Sequence, residues 1–315
     1  MSRWLGILLS GALALAACAP DPPAVSFNPE IPRERAWLPP DRPAEKVILA
    51  LHGFNDYSQA FDEFGQFAAE RGVAVYAYDQ RGFGSSPDAG FWPGTEALVE
   101  GLKDRLDAVR AVHPDRPLFL LGESMGAAVV IAAMTSSAPP AVEGVILSAP
   151  AVWGGDQLNP LYRATLWLAT RFAPDFRLTG KGLERQASDN IEMLRALGAD
   201  PLVIKATRIA AIGGLVGLMD WAYERADALD GPLLILGGER DEIVPPGALK
   251  AMLERIEASP CVEITYPEGW HLLLRDYQRQ VVFEDVMAWL YGRAPPSSFD
   301  QACGADLTQD AAWRG

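Results

Sequence analysis

The sequence predicts an α/β domain: a mostly parallel sheet with helices on both faces and a helical cap inserted between two of its strands. Three observations predict it. Short apolar runs alternate with longer segments of helical period from Lys46 onward, as in strands joined by crossover helices. The runs are apolar throughout rather than at every second residue, as strands buried on both faces require. One gap, 153–228, is far longer than the loops of a compact domain.

The elements follow in order. Residues 1–17 carry one cation, Arg3, and then an apolar run from Trp4. That run is short for a membrane span and suits a signal peptide. It ends in Leu15-Ala16-Ala17-Cys18, which resembles the bacterial lipobox, where the Cys is acylated and becomes the mature N-terminus. The alternative is an ordinary secretory signal with a chance Cys. Residues 18–43 are Pro-rich without an apolar period and read as an extended tether. Lys46–Leu51 and Val73–Tyr78 read as strands, with a helix over Phe61–Arg71 between them. Thr95–Val112 has helical spacing with Thr95 as N-cap. Leu118–Leu121 is a strand, Met125–Met134 a helix and Val145–Leu147 a strand. The gap that follows carries helical patterns at Leu161–Phe172 and Ile191–Leu197. A Gly-interrupted apolar stretch, Ile204–Trp221, comes next. Then come strand Leu233–Leu236, helix Gly247–Glu257, strand Cys261–Tyr266 and helix Arg275–Leu290. The domain organisation read from this is signal peptide 1–17, tether 18–43, core 44–152 and 229–293, cap 153–228 and tail 294–315.

Composition excludes several classes. The 315 residues are 49% hydrophobic and 22% charged, with a formal net charge of −14 and no dense basic run. A nucleic-acid partner needs a basic patch and is not expected. Three Cys without ligand spacing exclude a disulfide-dense scaffold and a structural zinc site.

The chemistry centres on Gly122-Glu123-Ser124-Met125-Gly126. This G-x-S-x-G follows a predicted strand and opens a predicted helix, the context of a nucleophile elbow. Gly122 and Gly126 suit a strained turn between closely packed backbones. A serine hydroxyl needs a base, and the base an orienting acid. The chain has three His. Elbow folds run Ser, acid, His in chain order, and only His271 follows Ser124, so His271 is the expected base. The acid is sought after strand Leu233–Leu236, where Asp241 is chosen over Glu239 and Glu242. Backbone N–H groups of Met125 and Phe54 are the expected oxyanion donors. His52 and Gly53 then brace the donor turn rather than act chemically.

Together with Leu51-His52-Gly53-Phe54, Asp79-Gln80-Arg81-Gly82-Phe83-Gly84-Ser85 and Gly269-Trp270-His271, these residues resemble the α/β-hydrolase superfamily. Within it they look like the monoacylglycerol lipase / lysophospholipase group, also described as serine aminopeptidase-like. The resemblance covers about 47–290. It implies a serine hydrolase of carboxylic esters, with lipid monoesters as substrates and a cap that selects the acyl chain. The 79–85 stretch is then a structural loop. No metal or organic cofactor is implied. Two departures stand out: the first strands of the group are barely present between Phe27 and Leu38, and Leu272-Leu273-Leu274 follow His271 where relatives often place an acid. The apolar stretch 209–219 is expected to wall an acyl pocket, seat on a bilayer or fill the cap core.

Two other readings stay open. A peptidase on this scaffold would use cap acids such as Glu184, Asp189, Glu192 or Glu224 to hold a substrate amine. A surface lipoprotein could keep the fold without catalysis. The expected location is the bacterial cell envelope, lipid-anchored through Cys18 and facing the periplasm or exterior. With Cys18 acylated, Cys261 and Cys303 remain as a pair, either bridged or as two free thiols.

Overall fold

The computed structural model describes residues 33–297 and Cys303, apart from 154–158, 181, 183–184 and 257–259. The signal peptide, Cys18 and most of the tether lie outside the described residues.

The sheet is seven-stranded. Its strands are β1 (Glu34–Trp37), β2 (Lys46–Leu51), β3 (Val73–Tyr78), β4 (Leu118–Glu123), β5 (Gly144–Ser148), β8 (Leu233–Gly238) and β9 (Cys261–Tyr266). They lie in the order β1-β3-β2-β4-β5-β8-β9. All neighbours from β3 to β9 run parallel, and only β1 is antiparallel. Successive side chains on each strand enter opposite layers. Val47, Leu49 and Leu51 join one core, with Leu98, Leu102 and Val129. These last lie on helices α2 (Thr95–Val112) and α3 (Met125–Met134). Ile48 and Ala50 join the other, with Phe64 and Phe283, from α1 (Asp62–Glu70) and α8 (Arg279–Leu290). Burial on both faces is why the strand sequences show no polar alternation.

β1 corrects the tether boundary at residue 43. Residues 34–37 pair with β3, Glu34 opposite Tyr78 and Trp37 opposite Val75. An edge strand half exposed along its length needs little apolar sequence. Its anchor is Trp37, which lies over Gly65 of α1: a Cβ there would come within 2.3 Å of the indole. The helix starts shift as well. Thr95 is the first residue of α2, and Gly94, at φ 94°, occupies the cap position. α8 begins at Arg279 rather than Arg275, because residues 275–278 turn beneath the candidate site.

Between β5 and β8 lie helices α4 (Pro160–Phe172), α5 (Ile191–Ala199) and α6 (Ile209–Glu224). A two-stranded antiparallel sheet, β6 (Arg177–Thr179) with β7 (Ala206–Arg208), accompanies them. The cap is therefore not purely helical; its strands are three residues long, too short and polar to carry a period. α6 belongs to the core: Ile212, Leu215, Leu218 and Met219 are buried, and part of this face joins the core beside α3. A bilayer seat on 209–219 is overturned by that burial. The exposed apolar face lies instead on α4, none of whose residues is buried, where Leu161, Trp167, Leu168 and Phe172 face solvent. Among the described residues no helix is long and apolar enough to cross a membrane. Helix α7 (Pro246–Leu253) packs beside β8.

Candidate active site

Ser124 sits between the end of β4 and the start of α3 at φ 55°, ψ −114°. That left-handed conformation costs a non-glycine residue about 1–3 kcal/mol. The surroundings enforce it: Ser124 N–H donates to Ser148 O at 2.9 Å, and its carbonyl accepts from Ala128 N–H and Ala151 N–H. The flanking glycines are required by space. A Cβ on Gly126 would lie 2.1 Å from Leu51 O, and one on Gly122 would lie 2.4 Å from Ala127 Cα. The helix can start this close to β2 and β4 only without side chains at those two positions.

His271 follows β9, and its Nδ1 lies 2.8 Å from Asp241 Oδ2 while its Nε2 lies 2.9 Å from Ser124 Oγ. Asp241 accepts only, so Nδ1 carries the proton and Nε2 is left to accept from the serine hydroxyl. Asp241 Oδ1 accepts from Ile243 N–H at 2.7 Å and Val244 N–H at 2.9 Å. Burial works to lower the His271 pKa, but the charge and hydrogen bond of Asp241, helped by Glu123 and opposed by Arg275, hold it above the ordinary histidine value. Glu239 and Glu242 do not take Asp241's place. Glu239 is exposed, and Glu242 Oε2 accepts from Gln186 N–H at 2.8 Å.

Met125 follows the serine in the chain, and Phe54 follows Gly53 on the turn that packs against it. Met125 opens α3, and Gly53 packs its Cα side against Ser124, where a Cβ would meet Ser124 Cβ at 3.4 Å. His52 lies beneath this turn, fully buried. Its Nε2 accepts from Gln80 N–H at 3.0 Å, so its Nδ1–H donates to Gly53 O at 2.8 Å. Burial lowers its pKa, which keeps it neutral, and it does not reach Ser124. The 79–85 loop is held by Asp79, whose carboxylate accepts from the backbone and hydroxyl of both Ser58 and Ser85.

The cap is bonded to the donor turn, the acid loop and the histidine loop. Ala187 O accepts from Leu272 N–H, and Ile204 N–H donates to Asn55 O, both at 3.0 Å. Ser188 Oγ donates to Asp276 Oδ1 at 2.6 Å, and Asn55 Nδ2 to Thr207 Oγ1 at 2.8 Å. Asp276 Oδ2 accepts from Trp270 N–H at 2.8 Å, one residue before His271. Burial pushes the Asp276 pKa up to about 7 in spite of both bonds.

Sequence reasoning missed one cluster. Arg275, 6% exposed, donates through Nη2 to the fully buried Glu123 at 2.7 Å and pairs through Nη1 with Asp56 at 2.7 Å. In the sequence Glu123 is a variable position of the G-x-S-x-G, and Arg275 reads as helix. The available signal was a charge inside an otherwise apolar strand end, which burial forces to find a partner. Of the cap acids considered for a substrate amine, Glu184 lies outside the described residues and Asp189 already accepts from Tyr277 N–H at 2.9 Å. At the far end of β9, Cys261 and Cys303 are disulfide-bonded with Cα atoms 5.3 Å apart.

The family profile described as "Serine aminopeptidase, S33" matches residues 42–278. A monoacylglycerol lipase of Mycolicibacterium smegmatis is 28% identical over 262 residues, covering 81% of this chain and 90% of its own. The crystal structure of a Paleococcus ferrophilus monoacylglycerol lipase superposes with a TM-score of 0.70 at 21% identity, over 82% of this chain and 98% of that one. A soluble variant of Saccharomyces cerevisiae monoglyceride lipase, bound to a substrate analog, gives 0.71 at 19% identity, over 86% and 98%. The fold is thus that of the α/β hydrolases.

Proposed function

We propose that the chain, which belongs to the serine aminopeptidase S33 family, is a serine hydrolase of lipid monoesters such as monoacylglycerols or lysophospholipids. One observation carries the mechanism: the unbroken relay from Ser124 Oγ to His271 Nε2 and from His271 Nδ1 to Asp241. Ser124 attacks the ester carbonyl as its proton passes to His271 Nε2, and Asp241 stabilises the imidazolium. The oxyanion is held by the backbone N–H groups of Phe54 and Met125. Collapse expels the alcohol, which takes the proton from His271 and leaves an acyl group on Ser124. Water then repeats the cycle and frees the acid.

The substrate class is supported by the lipase relatives and by the exposed apolar face of α4, an area that suits a lipid-borne substrate. The Cys18 motif supports an acylated N-terminus tethering the enzyme to an envelope membrane. The test is a panel of monoacylglycerols, lysophospholipids and simple esters graded by chain length, with aminoacyl amides alongside. Ester turnover that rises with acyl length and vanishes in Ser124→Ala is expected. A preference for aminoacyl amides, or no ester turnover, overturns the reading. Cys18→Ser should release the protein from membranes or stall its processing, and a wild-type protein with unmodified Cys18 in the soluble fraction contradicts the anchor.

A further inference from the structure

Behind the relay lies a second buried charge system. Arg275 sits four residues after His271 on the same loop. Its guanidinium spans two carboxylates at 2.7 Å each: Asp56, on the turn that carries Phe54, and Glu123, the residue before Ser124. Three chain segments that must hold their relative positions during the reaction therefore meet at one side chain. A planar fork that donates to two acceptors at once fixes direction as well as distance, which a lysine ammonium does not.

We propose that Arg275 is a positioning residue, and that the Asp56–Arg275–Glu123 trio keeps the oxyanion turn, the serine elbow and the histidine loop in register while setting a net negative charge behind His271. This rests on the hydrolase reading above. The trio holds two acids against one base. Among the described residues, Glu123 Oε1 makes no hydrogen bond. The charged groups acting on His271 are Asp241 from the loop after β8, Glu123 from the end of β4 and Arg275 from its own loop. Burial raises the Glu123 pKa and Asp56 adds to the rise, while the charge and hydrogen bond of Arg275, with His271, favour its charged form; Glu123 in turn acts on Asp276. Glu123 thus acts beside Asp241 as a second carboxylate favouring the imidazolium, and Arg275 partly offsets it. A buried ion cluster of this kind adds little to stability compared with an apolar replacement, so a role in the site accounts for its presence better than a role in the core.

The test uses Glu123→Gln, Arg275→Lys and Asp56→Asn in the full chain. Rates are normalised to the fraction of Ser124 titrated by a fluorophosphonate, so only folded, competent sites count. Glu123→Gln is expected to lower kcat about 10- to 100-fold with KM little changed. It should also move the acid limb of the kcat/KM profile to lower pH, because His271 loses a neighbouring negative charge. Arg275→Lys keeps the charge but not the fork, so kcat should fall while the acid limb stays in place. Asp56→Asn reads the outer bridge alone and carries the test where Glu123→Gln does not fold. Wild-type kcat and an unmoved acid limb across the folded variants, with only their melting temperatures lowered, would overturn the proposal. Wild-type protein that neither labels at Ser124 nor hydrolyses esters would sink the hydrolase reading instead, a different outcome from unaffected variants of an active enzyme.

Discussion

His271 meets only one oxygen of Asp241. That oxygen, Oδ2, lies 2.8 Å from Nδ1, while Oδ1 is held by the backbone N–H groups of Ile243 and Val244. The carboxylate is fixed by its own loop before it touches the histidine. Asp241→Asn can keep the backbone bonds through its carbonyl, but it then points an amide donor at Nδ1 and favours the wrong tautomer. We expect kcat to fall by about 10³- to 10⁴-fold with an unchanged fold by circular dichroism. Glu242→Gln, which among the described residues alters the bond to Gln186, should cost far less. The reverse ranking would reassign the acid.

The acid limb of kcat/KM should lie above the ordinary histidine value of 6.5. His271 must be neutral to take the Ser124 proton, and its folded-state pKa is raised by Asp241 and Glu123 against the effect of burial. Activity therefore falls as pH drops through that raised value. A pH–rate profile from free enzyme and substrate reads it directly; a limb below 6.5 would contradict the charge arrangement.

Asp276 links folding to pH in its own way. Its pKa rises from the ordinary 3.8 to about 7 on folding, chiefly by burial. Between those values the folded chain binds a proton that the unfolded chain has lost, so stability falls as pH increases across the window. Asp276→Asn removes the titration and can still bond Trp270 N–H and Ser188. Denaturant midpoints at steps across this range should decline less in Asp276→Asn than in wild type. Parallel declines would remove Asp276 as the cause.

Cys303 is bonded to Cys261 across a separation of 42 residues. Closing a loop of that size contributes up to roughly 4 kcal/mol on the chain-entropy model. Cys303→Ser should lower the melting temperature and abolish its sensitivity to reductant. The kcat should hold, because Cys261 starts β9 whereas His271 follows its end. A melting curve unmoved by either change would mean that the bridge adds nothing to stability.

The parallel strands were legible because double-sided burial makes each a continuous apolar run, and the elbow because Gly122 and Gly126 bracket Ser124 between a strand and a helix. β1 was hidden: four residues, half exposed, secured by Trp37 over Gly65, show no period. The cap strands β6 and β7 were hidden for the same reason. The role of 209–219 could not be read locally. The apolar content of α6 says that it is covered, and only the packing says that the cover is the core beside α3 rather than lipid. The Arg275 trio joins residues 56, 123 and 275, and contacts of that sequence separation leave no spacing to read.

The hydrogen bonds that join residues 186–190 to the acid and histidine loops, and residues 204–207 to the donor turn, give the insertion an internal seam. One part of it is built into the reaction apparatus and cannot be exchanged without disturbing the histidine. The other, α4 with its unburied surface, touches none of those loops through these bonds. Variation in substrate range, whether by descent or by a protein engineer's chimera, has room to proceed in the α4 segment while chemistry stays constant. An insertion that looks like a single module by position in the chain is two parts by its bonding.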